Sequence, residues 1–279
     1  MATRQVPGDP SDAITVEGLG KRFDLRHERP TTITQELLGL LRPRLTEPFW
    51  AVQDVTMSVP RGGAMGVIGR NGSGKSTLLK MLAGTLAPTT GTLVVRGSLS
   101  TLLQLGAGFH PDFTGRNNVW LSAALLGIPE ARMRAGFDDL VAFAELEQFI
   151  DIPIKYYSAG MLARLGFAVS ISVDAEILLI DEVLGVGDLA FQRKCEARMR
   201  EMMSGGRTIV IVSHDAHAVR SLCDTAVWLD RGHVRAAGPA DEVVDAYEAS
   251  SLGEGPGTVS RVHAADVDGD GLPDDPDDA

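Results

Sequence analysis

The stretch Gly69-Arg70-Asn71-Gly72-Ser73-Gly74-Lys75-Ser76-Thr77 constrains the fold more than any other part of the chain, because glycine, lysine and hydroxyl residues at this spacing require a particular backbone around them. The apolar run Met65-Gly66-Val67-Ile68 just before it predicts a buried strand, and Thr77-Leu78-Leu79-Lys80-Met81-Leu82 just after it predicts a helix with an apolar face. A strand that turns through glycines into a helix aims successive backbone N–H groups at one point, at the positive end of the helix dipole. That point suits phosphate. Lys75 can reach the outer phosphates of a nucleoside triphosphate and the Ser76 hydroxyl can ligate Mg²⁺, while Gly69, Asn71, Gly72, Ser73, Gly74 and Thr77 complete the cradle.

Composition bounds what surrounds this loop. With 279 residues, 44% of them hydrophobic, the chain can bury a substantial core as one large α/β domain or two small ones. No run reaches the ~18 apolar residues of a membrane span, and no basic-then-apolar segment opens the chain. The expectation is a soluble protein that stays inside the cell and reaches a membrane through a partner. Cys195 and Cys223 fall in predicted helices without metal-like spacing and read as reduced, half-buried residues. The net charge is −11, but residues 266–279 hold seven Asp and no Lys or Arg; removing them leaves −4 over residues 1–265. No basic stripe with interleaved aromatics is present, which argues against nucleic acid as the principal ligand.

Ala13-Ile14-Thr15-Val16 alternates as a strand does and Gly18 and Gly20 punctuate its end, predicting a short edge strand. Residues 26–48 form a polar insertion in which Ile33, Leu37, Leu38 and Leu41 recur at helical spacing before Pro43, predicting one short amphipathic helix. Residues 49–104 read as strands around the loop and its helix, and 105–165 as mainly helical. Apolar strands at Ile177 to Ile180 and Thr208 to Val212 then alternate with helices up to residue 247. Residues 248–279 form a short extension with an acidic, disordered tail, and no internal repeat is visible. Asp266, Asp268, Asp270, Gly271 and Asp277 match the first half of a calcium loop, but Pro273, Pro276 and the lack of flanking helices favour a solvated tail.

Ala175-Glu176-Ile177-Leu178-Leu179-Ile180-Asp181-Glu182 predicts a buried strand ending in two carboxylates. A parallel strand beside the phosphate loop would deliver Asp181 to Mg²⁺. Glu182 would then face the water attacking the γ-phosphate, as general base or as the group orienting that water. A strand ending in solvated carboxylates is the plainer alternative for the segment alone.

Tyr157-Ser158-Ala159-Gly160-Met161, upstream of that strand, resembles the signature motif of ABC ATPases, with Ser158 and Gly160 retained. Gln104 follows a strand where the family has its glutamine loop, Gly187-Asp188 stands where it has the D-loop, and His214 in Val212-Ser213-His214-Asp215 where it has the switch histidine. The order covers roughly residues 12–247. The resemblance implies an α/β fold: a P-loop NTPase (RecA-like) core, an antiparallel β edge subdomain and an α-helical subdomain carrying the signature. It further implies ATP and Mg²⁺ as cofactors, with Ser76, Gln104 and Asp181 near the metal and Glu182, His214, Gln104 and Lys75 as the catalytic set. A head-to-tail homodimer is implied, in which Ser158, Ala159, Gly160 and Asp188 of one subunit complete the ATP site of the other. An aromatic platform for adenine is expected at Phe49 or Trp50, with Phe23 as the alternative because the insertion blurs the match.

The departures are as informative. The usual Leu-Ser-Gly-Gly-Gln is replaced by Tyr157, Ala159 and Met161, and the D-loop reads Leu184-Gly185-Val186-Gly187-Asp188. With Leu105-Gly106-Ala107-Gly108-Phe109-His110-Pro111 and Ala190-Phe191-Gln192-Arg193-Lys194-Cys195, the chain resembles the ATP-binding subunits of polysaccharide (O-antigen type) and teichoic-acid exporters, in which an insertion follows the first strand. The implied role is to drive a separate integral-membrane permease that moves a lipid-linked glycan, from the cytoplasmic face of the cell membrane. An importer subunit is the nearest alternative. A non-transport ABC ATPase is the other alternative; one acting on ribosomes or DNA would carry two nucleotide domains, a long coiled-coil insertion or a basic surface, and none is visible.

Overall fold

The computed structural model describes residues 9–26, 46–102, 106, 108–181 and 187–251. Its centre is a six-stranded sheet in the order β5-β6-β7-β3-β8-β9, formed by β3 (Ala64–Ile68), β5 (Leu99–Leu102), β6 (Ile177–Asp181), β7 (Thr208–Ser213), β8 (Thr225–Asp230) and β9 (His233–Pro239). All pairings are parallel except β8 with β9. Both faces of β6 and β7 are covered, and their side chains divide by parity. Ile177, Leu179, Val210 and Val212 face helix α1 (Lys75–Leu82), while Leu178, Ile180, Ile209 and Ile211 face α4 (Ala159–Ile171) and α5 (Leu189–Ser204). This is why these strands read as continuous apolar runs in the sequence.

A second, antiparallel sheet of order β2-β1-β4 covers the other side of α1, formed by β1 (Asp12–Arg26), β2 (Thr46–Pro60) and β4 (Thr90–Val95). The sequence expectation of a short edge strand is corrected here. β1 is the central strand and runs on past both glycines to Arg26. Gly18 and Gly20 mark register shifts instead of an end: Gly18 has φ +56, and a Cβ at Gly20 would collide with Thr90 Oγ1. The pairs Leu25 with Glu47 and Arg26 with Thr46 close this ribbon at the base of the insertion. The expected helix at Ile33 to Leu41 lies outside the described residues, as does the acidic tail with its calcium-like spacing.

Helices α2 (Gly115–Leu125), α3 (Glu130–Ala144) and α4 enclose a separate core of Val119, Met133, Phe137, Leu140, Leu146 and Leu165. Phe143 of α3 joins this block to the sheet by packing on Phe167 and Phe191, with ring centroids 6.0 and 5.6 Å away. Helices α6 (Ala216–Leu222) and α7 (Ala240–Ser251) cover β3 and β8 through Val219, Val243 and Val244. Cys195 is in α5 as expected, but Cys223, also expected in a helix, is the residue capping the C-terminus of α6, one place beyond its last residue. Burial pushes both thiols up to about 12, so they stay protonated. Among the described residues no helix is long and apolar enough to cross a membrane, and no group of His, Cys, Asp and Glu has metal-site geometry.

Candidate nucleotide site

Strand β3 ends at Ile68 and the loop 69–74 turns the chain into α1. Gly74 is the N-cap of α1, with φ +106 and no side-chain cap, so the first-turn N–H groups are left for a ligand. Only glycine fits there: a Cβ would collide with the Ala51 carbonyl oxygen, and one at Gly69 would collide with that of Leu229. Gly72, with φ +80, faces open space. Ser73 Oγ, in the loop, is buried with no hydrogen-bond partner among the described residues, as a polar group that a bound ligand satisfies would be. Lys75 is 5% exposed and its Nζ donates to the carbonyls of Gly69 (2.7 Å) and Arg70 (3.2 Å), which curls its ammonium over the loop. Ser76 and Thr77 follow in the first turn, with Ser76 exposed. These features fit a polyphosphate: a ring of donors, a positive helix end and one ammonium.

The loop is fastened by a residue without a sequence signal for the task. Gly232, at φ +82 in the turn between β8 and β9, donates its N–H to Ser73 O at 2.8 Å, and its carbonyl accepts from Gln53 N at 2.8 Å. One residue thus ties the cradle to β2.

Parallel pairing brings the carboxyl ends of three strands to the same edge as the loop, where open α/β sheets bind ligands. Ile68 pairs with Ser213, Val67 with Val212 and Val212 with Asp181. The expectation that the strand carrying Asp181 lies beside the loop strand is corrected: β7 intervenes, so Asp181 stands two strands, roughly 9.5 Å, from β3. The intervening strand leads directly to His214, which is exposed between Ser213 and Asp215. Ser213 Oγ accepts from Asp215 N (3.0 Å) and Asp215 Oδ1 from His217 N (2.9 Å), so the turn at His214 is braced on its C-terminal side by the cap of α6. Glu182 and Gln104, predicted at this edge, lie outside the described residues.

The three aromatic candidates divide between two faces of the β1–β2 ribbon. Phe23 pairs with Phe49 and Lys21 with Val52, and Lys21 Nζ lies 5.5 Å from the Phe23 ring centroid, so these four share a face. Val52 Cγ2 on that face approaches Gly74. Trp50 pairs with Arg22 on the opposite face, with the guanidinium 6.0 Å from its ring and its edge against Gly20. The half-exposed pair Phe23 and Phe49 therefore faces the cradle side, and Trp50 does not.

At the N-terminus of α4, Ser158 is extended (φ −68, ψ 161) and its Oγ accepts from Met161 N at 3.2 Å. This cap leaves the hydroxyl hydrogen free to donate outward. Ala159 is exposed and Gly160 half-buried in the first turn. Asp188 caps α5 in the same manner, accepting from Phe191 N at 2.9 Å. Tyr157 is buried and its hydroxyl donates to Phe149 O at 2.6 Å; burial, with Asp151 adding to it, pushes the phenol up to about 12.

The model of the ABC transporter family matches residues 52–185. The O-antigen export system ATP-binding protein RfbB of Myxococcus xanthus is 44% identical over 269 residues, which cover 94% of this chain and 62% of that protein. The protein of the same name from Klebsiella pneumoniae is 44% identical over 200 residues, covering 72% of this chain and 81% of the relative. A dimeric post-hydrolysis structure of the ATP-binding cassette MJ0796 bound to ADP and Pi superposes with a TM-score of 0.65 at 19% identity, covering 81% of this chain and 98% of that one; it supports the fold. The chain belongs to the ABC transporter family, as one of its ATP-binding proteins.

Proposed function

We propose that the chain is the ATP-hydrolysing subunit of an exporter that moves a lipid-linked polysaccharide or teichoic-acid-like glycopolymer across the cytoplasmic membrane through a separate permease. Residues 12–247 form the ATPase domain, held at the cytoplasmic face by that permease. The observation that carries the ATPase reading is the single sheet edge shared by the loop 69–74, Asp181 and His214, so that one nucleotide can meet all three. Lys75 and the loop N–H groups hold the β- and γ-phosphates, and the base rests against Phe23 and Phe49. Bound Mg²⁺, held by Ser76, Asp181 and Gln104, would offset the phosphate charge.

Glu182 takes the proton of the attacking water or fixes its direction, and His214 donates to the γ-phosphate. Ser158 and the N–H groups at Ala159 and Gly160 of a second copy donate across the interface, near its Asp188. ATP is then part of the contact between subunits, and its hydrolysis separates them. The export systems named for the relatives support this choice of cargo. Replacing the chromosomal copy by Glu182→Gln tests it. Loss of surface glycan with lipid-linked polymer retained inside is the expected result; intact surface glycan with a defect in solute uptake would overturn the export reading.

A further inference from the structure

Ser158 opens α4 at the surface that the proposed second subunit would use, but what fixes its position is the residue before it. Tyr157 sends its side chain inward, where its ring packs among the residues of the helical block. The Phe149 carbonyl accepts both from the Tyr157 hydroxyl (2.6 Å) and from Ile152 N (2.9 Å). Gly115, the first residue of α2, makes room for that hydroxyl, since a Cβ there would collide with it. The segment 149–156 is itself fixed to the start of α2. Gly115 N donates to Ile152 O (3.2 Å), Arg116 N to Ile150 O (2.8 Å), and the Arg116 guanidinium grips both Asp151 oxygens at 2.7 and 3.1 Å. Tyr157 is thus the covalent neighbour through which a braced block meets the first donor of α4.

We infer that Tyr157 is a positioning residue for the half-site of Ser158: its hydroxyl, locked to Phe149 O beside Gly115, sets where the α4 N-terminus is presented to the nucleotide of a second subunit. The inference rests on the proposed composite site. Leucine, the usual residue in the resembling signature, fills space there but donates nothing, so this chain fixes the half-site by a directed bond. Donors that act across an interface lose effect steeply when displaced; a shift of ~1 Å can cost about a hundredfold. The bond is remote from the cradle, so Tyr157 governs association of subunits and leaves nucleotide capture by one subunit alone.

The test uses the full chain carrying Glu182→Gln, with Tyr157→Phe, Tyr157→Leu or Gly115→Ala added. A fluorescent ATP analogue, titrated at protein dilutions where the chain is monomeric, reads the cradle; sedimentation with ATP and Mg²⁺ reads the dimer. Each added substitution should weaken the dimer about tenfold while the monomer affinity stays within twofold. In the chain with Glu182 restored, the ATPase rate of Tyr157→Phe should recover as protein concentration is raised. Equal dimer constants for Tyr157→Phe and its parent would overturn the inference. So would parallel losses of melting temperature and monomer nucleotide affinity without recovery at high concentration, which mark a merely structural role. A parent that binds ATP yet stays monomeric would remove the composite site itself, and the inference with it.

Discussion

Two glycines show how differently one residue type can act. Gly74 combines φ +106 with a backbone oxygen where its Cβ would lie, so Gly74→Ala adds strain of ~1–2 kcal/mol to a clash that only moving the loop or β2 relieves. Nucleotide binding should fall by at least a hundredfold in a fluorescent-analogue titration. Gly84, just beyond α1, has φ +71 but faces open space, and Gly84→Ala should cost only ~1 kcal/mol in urea unfolding. Titration gives a second prediction at this scale. Tyr157, Cys195 and Cys223 all hold their protons to about 12 in the folded state, above their ordinary values. The stability they contribute is complete below the unfolded values, near ~8.5 for Cys and ~10 for Tyr, and is lost as pH rises toward 12. Melting temperature should therefore decline through that window, less steeply in Cys223→Ala; a flat profile would show that these groups are not protected.

Helix starts and strand registers organise the site at the next scale. Asp188, Ser158 and Asp215 each cap a helix by accepting from a first-turn N–H; Asp188 and Ser158 are themselves expected at the nucleotide, and Asp215 follows His214, which is. Asp188→Ala should cost ~1 kcal/mol of stability, and Asp188→Asn should restore it, as measured by denaturant unfolding. The ribbon of β1 and β2 makes a sharper prediction. Phe23→Ala and Phe49→Ala should each weaken nucleotide affinity by ~1–3 kcal/mol, and Trp50→Ala by much less, because Trp50 is on the other face. The cradle was legible in the sequence because glycine spacing and a strand-to-helix change are local signals. The strand end at Asp181 was legible from its apolar run. Strand order was not, because the place of β7 between β6 and β3 is a tertiary choice that periodicity does not encode. Gly18 and Gly20 misled for a related reason: a glycine ending a strand and a glycine admitting a bulge look alike until the neighbour, here Thr90, is known. The hold of Gly232 on Ser73 and of Tyr157 on Phe149 is invisible in sequence because each partner is a backbone carbonyl.

Across the whole molecule, the cradle and the proposed signature belong to different blocks. The cradle is built on β3 and α1 and braced by the antiparallel sheet; Ser158 opens α4 in the helical block, joined to the sheet through Phe143, Phe167 and Phe191. In the proposed function a second copy brings its Ser158 to the first copy's nucleotide, so that binding of ATP is also assembly. Light scattering on Glu182→Gln, with and without ATP and Mg²⁺, tests this most directly. A monomer that doubles in mass only with ATP and Mg²⁺, and returns to monomer when ATP is exchanged for ADP, is the predicted result. A chain that binds ATP with full occupancy yet keeps the monomer mass across the concentration range would contradict it.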